Sequence, residues 1–564
     1  MDDVIFRRNL LALSARHQEL CDCLVRTEPD PRLAIRSSRS GLPVPVLRLD
    51  TREAAFHSLM DPQREAERLV EAGPQGGFIV ALGLGAGYAI RAHLTRRSTS
   101  SVIALEYSAP LLRALLDSLD LSEIFVDRRF RLLLDPTSEE LEEAVLLSYL
   151  PAISGDILTA PLRGRTDLSP AEFSLAAETV RSVLGRISDD YSVQAFFGKL
   201  WFRNAVRNLL YSERPTSPLP PIRRAVVTAA GPSLEDGIAA AAKAQAEGAF
   251  LIATDTTLPA LLGRGLRPQA VISIDCQAIS YYHFMKGMPH GIPLVLDLAS
   301  PNRLARLSDS VRFFSSGHPF CAYVSSNYRP FPALDTSGGN VTHAALSLAE
   351  ALGAESCLLV GADFSYPEGK SYARGTYIYD YFDGRSGRLA PTESLFTGFV
   401  RRNTSILREL DRDENGREYA RYVTKPLLAY RSHLERFIGA SAMDIHPLRG
   451  KGVEIRCAPP ADRRQRRQRT MFSAGPASQG AAAFLSAYAV RLRGLAVPEE
   501  PAAAFIQALD PKDRDLWMTL IPSVSALRRA WGAKAMAPAE ALEAGRAWAL
   551  AELEIALNDQ SGIG

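Results

Sequence analysis

Short apolar runs recur through the middle of the chain, most of them built from Val, Ile, Leu and Ala: Ala225–Ala230, Phe250–Asp255, Ala270–Asp275, Leu294–Leu298, Val311–Phe314 and Cys357–Asp363. Runs without a polar alternate suit strands buried on both faces, and the stretches between them are long enough for crossover helices. The pattern predicts a parallel sheet covered on both sides, with ligands at the carboxyl ends of its strands. A smaller set of the same kind precedes it, Gly77–Leu82 and Val102–Glu106. Before that, a helical pattern over Ile5–Val25, an extended stretch over Pro43–Arg48 and a proline-led helix after Asp61 predict a small α+β cap. Clustered prolines from Pro215 to Pro221 mark a linker, preceded by a helix-rich connector over Ala171–Tyr211. Residues 395–440 read as helical. An Ala- and Leu-rich tail follows, with Pro501, Pro511, Pro522 and Pro538 marking breaks. The predicted class is α/β and multidomain: Rossmann-like parallel-sheet domains with a C-terminal helical domain. Its divisions are 1–75, 76–215, 222–457 and 479–564.

Candidate chemistry gathers where the apolar runs end. Gly231-Pro232-Ser233 follows the first central strand, and Thr336-Ser337-Gly338-Gly339-Asn340 opens a helix before the last. Both are helix starts, which present unpaired N–H groups and a positive dipole end to a phosphate or carboxylate. Ser233 is placed to cap its helix, with Asp236 completing a capping-box-like pair. Asp255, Asp275 and Asp363 end three strands at comparable positions, where acids serve either ligand binding or ordinary capping. In the earlier set, Gly83, Gly85 and Gly87 turn a strand into a helix, and Glu106 ends the next strand. That spacing suits a nucleoside site for S-adenosylmethionine or a dinucleotide, with the acid on ribose hydroxyls; a plain strand-to-helix turn has the same glycines. A P-loop reading of Gly369-Lys370-Ser371 fails because Phe364 stands where its first glycine is required. The tyrosine-dense stretch Tyr372–Phe382 suits either an extended lid over a sugar or acceptor chain or a strand with a half-buried face.

These residues resemble a known family. AAGPSLED, the acid-ended ATD and SID, and above all TSGGNVTHAALSLAEALGAESCLLVGADFSY are similar to the central domain of motility-associated factor (Maf) flagellin glycosyltransferases. FHSLMDPQREAER and VALGLGAGY are similar to the segment preceding it, so the resemblance covers roughly residues 40 to 440. It implies transfer of a nonulosonic acid, of the pseudaminic or legionaminic kind, from a CMP-activated donor to Ser or Thr of flagellin or another flagellar protein. The same block is similar to bacterial CMP-sialic acid sialyltransferases. That likeness implies a donor-nucleotide site at Gly231, Pro232, Ser233, Thr336, Ser337, Gly338 and Asp363, with Tyr366 and Tyr372 on the donor phosphate. A phenol donating to a leaving phosphate stabilises the developing charge, so no metal or other cofactor is expected. Ala230 stands where the sialyltransferase turn has asparagine, and the expected histidine base has no obvious counterpart, His433 and His446 being far along the chain. Asp255 or Asp275 is the candidate catalytic base, with His283 and His343 behind them. Two other classes stay open: an ATP- and magnesium-dependent hydroxymethylpterin pyrophosphokinase with Asp255 and Asp275 as metal ligands, and a non-enzymatic flagellar assembly factor with a degenerate nucleotide site.

Composition narrows the partners. Sixty-five basic residues nearly balance 63 acidic ones for a net charge of +2, which gives no global attraction to nucleic acid or acidic membranes. The local run Arg463–Arg469 has no interleaved aromatics and reads as a solvated linker. Six scattered cysteines read as reduced thiols, the N-terminus has no apolar signal core, and no run approaches the roughly 18 apolar residues of a membrane span. A cytoplasmic protein is expected, its helical tail packing on the body or holding a helical acceptor.

Overall fold

The structure is a computed structural model that describes residues 3–50, 52–73, 76–402, 405–413, 416–457, 471–532 and 536–561. The arginine-rich run at 463–469 lies outside the described residues. The chain is α/β and forms two compact units: residues through Gly198 with Leu492–Leu550, and Lys199–Arg491 with the residues from Ala551 on.

In the first unit, β1 (Leu33–Ser37), β2 (Pro43–Arg48) and β3 (Glu53–Ala55) make an antiparallel meander. After them β4 (Phe78–Leu82), β5 (Ser101–Glu106), β6 (Phe130–Leu134) and β7 (Ile157–Pro161) form a parallel sheet in the order β6-β5-β4-β7. Alternate residues of each strand feed opposite faces. Ile79, Ala81, Val102 and Ala104 join Phe6, Leu13, Leu24, Leu47 and Phe56 in one core, while Phe78, Val80, Ile103 and Leu105 join Leu141, Val145, Phe173 and Val180 in another. This two-sided burial explains the unbroken apolar runs, and it gives the N-terminal segment a common core with the sheet. The helical pattern over Ile5–Val25 is two helices, Asp3–Ser14 and Gln18–Arg26.

The second unit is built on β8 (Arg224–Thr228), β9 (Phe250–Thr254), β10 (Ala270–Ser273), β11 (Leu294–Asp297), β12 (Val311–Phe314) and β13 (Ser356–Val360). Later come β14 (Tyr366–Pro367), β15 (Ile406–Arg412), β16 (Glu418–Thr424) and β17 (Asp444–Pro447). The main sheet runs β12-β11-β10-β9-β8-β13-β17, every pairing parallel. Strand order reverses between β8 and β13, which makes that crevice the topological switch point. The helix Val341–Ala351 packs across β8, β9 and β10 on one face, and Leu234–Ala246 against β8, β9 and β13 on the other.

Three expectations are corrected here. The stretch 395–440 is not helical throughout: the helix Thr392–Arg401 leads into the hairpin β15–β16 before the helix Lys425–Ala440. Cross-strand charges hold the hairpin, Arg421 bonding Glu409 at 2.9 Å and Asp411 at 2.8 Å. The tyrosine-dense stretch is not extended, because Tyr377–Asp383 is a helix after Thr376, so Tyr377 and Tyr381 share a face. Pro522 lies inside the helix Pro511–Trp531 rather than at a break. The other three prolines stand at helix starts, where a missing N–H costs nothing. The C-terminal helices are divided between the units, Phe484 and Tyr488 packing on Tyr323 of the second. All six cysteines are free, and among the described residues no helix is long and apolar enough to cross a membrane.

Burial holds His57 and His93 of the first unit down to about 4. His57 Nε2 accepts the Ala86 amide at 2.9 Å, which the protonated ring could not do. Between pH 6.5 and 4 the unfolded chain therefore binds more protons than the folded one, and stability falls with falling pH. Calorimetry should find the transition of this unit moving several degrees lower from pH 7 to pH 5, with a shallower dependence in His57→Gln. An unchanged transition would show that these rings titrate normally.

Candidate active site

Crossover helices in a parallel sheet run against the strands, so their N-termini collect at the carboxyl edge. At the switch point β8 and β13 stay paired beyond their ends, Ala229 N–H bonding Val360 O at 2.8 Å and Gly231 N–H bonding Gly361 O at 2.9 Å. Asp363 then turns its carboxylate onto the first turn, where Oδ2 accepts the Ser233 amide at 2.8 Å. The Ser233 hydroxyl makes no capping bond to its own helix, contrary to the expectation, and accepts instead from the Lys451 amide at 3.0 Å. Asp363 supplies the negative charge at this helix start. Burial pushes its carboxyl above the usual range, and the Ser233 and Gly452 amides oppose that rise. Gly231 has no unusual φ; its role is close approach, since a Cβ there would lie 2.4 Å from Asp363 Oδ2. Gly450 and Gly452 close the turn from the loop after β17, where a Cβ would lie 2.2 Å from Ser233 Oγ or 2.4 Å from Asp363 Cα.

The second turn is more open. Asp335 Oδ1 accepts the Ser337 amide at 2.8 Å, Asp335 Oδ2 lies 3.0 Å from His343 Nε2, and Asn340 caps the helix through the His343 amide at 3.0 Å. Gly338 clears the His343 ring, which a Cβ would approach to 2.2 Å. Ser337 is exposed and Thr336 half-buried at the mouth of this helix start.

Between the turns the strand-end acids face a group of aromatics. Asp255 is buried with both oxygens engaged: Oδ2 accepts from Ser273 Oγ at 2.6 Å, and Oδ1 from the Thr256 amide at 2.6 Å. Asp275 takes one amide, from Gln277 at 2.8 Å. Burial raises its carboxyl, the nearby charge of Asp255 adds to the rise, and His283 opposes it. The His283 ring stands edge-on to Tyr377 at 4.6 Å, its Nδ1 buried without a partner. Tyr377 in turn lies 6.3 Å from Tyr372. Tyr372 is anchored beside the first turn because the Ala373 amide donates to Ala230 O at 2.9 Å. Burial raises the phenols of Tyr366, Tyr372 and Tyr377, keeping them protonated donors. The charge of Arg402 reaches all three while its guanidinium lies 3.9 Å over Phe399. The structure thus brings together Asp255, Asp275, Tyr372 and the first turn, and adds Tyr377, His283 and Arg402. Only tertiary packing could reveal Arg402, which follows an ordinary helix in a charged stretch. His433 feels the charges of His343 and Asp335, whereas His446 is exposed beside Asp444 on β17.

The glycine turn of the first unit is filled by protein groups. Leu84 N–H donates to Glu106 Oε1 at 2.7 Å, and Ala86 N–H to His57 as above. The other Glu106 oxygen takes Arg165 Nε at 2.8 Å, both side chains being fully buried. A Cβ on Gly83 would lie 2.8 Å from Arg165, one on Gly85 2.5 Å from His57, and one on Gly87 2.4 Å from Ile124. These glycines and this acid therefore hold the turn against its own unit.

Fold and site together define a doubly wound α/β protein with polar and ionisable groups at its switch point. The family model described as 6-hydroxymethylpterin diphosphokinase MptE-like matches residues 203–369, the span that carries both turns and the strand-end acids. Two uncharacterised proteins of Treponema pallidum (strain Nichols) are each 36% identical to this chain. One matches over 165 residues, 29% of this chain and 78% of that protein; the other over 122 residues, 21% and 43%. The chain belongs to the family of the first of these treponemal proteins. A Maf glycosyltransferase from Magnetospirillum magneticum AMB-1 shares the fold, with a TM-score of 0.55 over 99% of this chain and 96% of that one at 14% identity.

Gly231→Ala should test the closed turn. The added methyl meets Asp363 and Gly361, so thermal melting should show the second unit destabilised by about 1–3 kcal/mol. Gly439→Ala, with open space around it in a helix, should be neutral or slightly stabilising. Equal behaviour of the two variants would remove the packing role of Gly231.

Proposed function

We propose that this protein is a glycosyltransferase that moves a nonulosonic acid from a CMP-activated donor to a hydroxyl of a flagellar protein. The carrying observation is the grouping of Asp275, His283, Tyr372, Tyr377 and Arg402 at the mouth of the switch point, beside an open helix start. The fold shared with the Magnetospirillum Maf glycosyltransferase supports the same reading. In this reaction the acceptor oxygen bonds to the anomeric carbon, the bond from that carbon to the phosphate oxygen breaks, and CMP leaves with the electron pair. Arg402 and the protonated phenols would face the charge growing on the phosphate, where donors fixed in advance act most strongly. The acceptor proton would pass to Asp275, whose raised carboxyl is a better base than an ordinary aspartate and whose protein donors all come from one neighbouring residue, Gln277. His283 stands next to it to share that proton. The Thr336–Asn340 turn would take the nucleotide.

The family match favours a second reading, a diphosphokinase using ATP and magnesium. It would require Asp255 to exchange its bonds from Ser273 and Thr256 for a metal. An assembly factor with a silent site is the third.

Thermal shift with CMP, with ATP and magnesium, and with S-adenosylhomocysteine separates these readings. A ligand at 100 times its Kd stabilises by about 2.7 kcal/mol, enough to move the melting temperature by a few degrees. CMP alone should produce that shift, Ser337→Ala and Arg402→Met should reduce it, and Asp275→Asn should keep it while lowering transfer at least a hundredfold. A response only to ATP with magnesium would replace this reading with the kinase, and silence from all three would leave the assembly factor.

A further inference from the structure

Beside the edge strand β12, toward its amino end, the second unit holds a cavity of about 320 Å³ that the proposed transfer does not use. Arg312 lines it with a side chain only 7% exposed. Nη1 donates to Ser310 Oγ at 3.0 Å and to Val311 O at 3.3 Å, while Nε is buried without an acceptor. No carboxylate among the described residues pairs with this guanidinium, and burial lowers its pKa. A buried cation without a counter-charge is costly, and such charges are ordinarily paired.

Two more guanidiniums share the wall. Arg329 donates to backbone carbonyls, Gly475 O at 3.0 Å and Ser212 O at 3.3 Å, and Arg214 lies 4.1 Å over the Tyr211 ring. Neither forms an ion pair among the described residues. The acids that line the cavity are engaged elsewhere: Glu213 accepts the Ala481 amide at 2.7 Å, and Asp309 pairs with His290 and accepts the Gly291 amide. Three cations thus face one cavity with two carboxylates, Glu213 and Asp309, each held by a backbone amide, and with the aromatic walls Tyr211 and Phe331.

We propose that this cavity is an anion site for a small phosphate-bearing ligand, its phosphate lying among Arg312, Arg329 and Arg214. Guanidiniums match phosphate oxygens through paired N–H donors, and a bound anion would supply the counter-charge that Arg312 lacks. The volume of about 320 Å³ has room for a ligand the size of a nucleoside monophosphate. This inference is independent of the reaction at the switch point.

The test is calorimetric titration and thermal melting of the full chain with inorganic phosphate at low ionic strength. Phosphate should bind and raise the melting temperature of the unmodified protein. Arg312→Met should bind at least tenfold more weakly and melt no lower than the parent without phosphate, since it removes an unpaired buried charge. Arg214→Ala, an exposed position, should weaken binding at least threefold whatever the fate of the Arg312 variant. AMP binding tenfold tighter than phosphate would identify a nucleotide as the ligand, and equal affinity would identify the phosphate group alone. No phosphate binding, or equal binding by the parent and both variants, overturns the proposal.

Discussion

The Asp363 carboxylate on the Ser233 amide is the bond around which the switch point is arranged. It joins the end of β13 to the turn after β8, the two strands between which the sheet reverses its order. Three glycines exist to let this contact form: Gly231 on one side of the carboxylate, and Gly450 and Gly452 on the loop that covers it. A helix start that could have received a ligand's anion receives an internal one instead. The consequence is a rigid first turn and a division of labour, with the second turn at Thr336–Asn340 left open beside the acids.

That rigid turn positions the aromatic group. Ala373 bonds Ala230, and the Arg374 amide bonds Glu235, so the segment carrying Tyr372 is held against the first turn and its helix. From there the chain enters the helix Tyr377–Asp383, and the packing of Tyr377 on His283 brings it to the acid after β10. Burial then raises the Asp275 carboxyl and the phenols together, a pattern that concentrates where proton transfer is performed. The glycine turn of the first unit shows the opposite outcome from a similar motif. Glu106, His57 and Arg165 take up its donors and space, and the same residue types that bind nucleosides elsewhere serve packing there.

The sequence by itself determined the centres of both parallel sheets, because strands covered on two faces are mostly apolar and the runs of β4, β5 and β8–β13 say so directly; β7 and β17 joined them only in the tertiary structure. It also determined the helix starts at Pro62 and Asn340, whose capping chemistry is local. It placed Asp255, Asp275 and Asp363 at the carboxyl edge, since a strand end is legible wherever an apolar run stops. Tertiary structure decided what each acid does. Asp363 is engaged by the Ser233 amide and Asp255 by Ser273, both distant in the chain, whereas Asp275 is held only by its neighbour Gln277. It also decided that Tyr377–Asp383 is helical and that β15 and β16 pair, because aromatic and charged alternation carries no period that excludes the other structure. Arg312 was illegible because an arginine in sequence is a surface charge by default, and only packing shows it buried; Arg402 stays exposed, and its place beside Phe399 and the tyrosines is likewise set by packing.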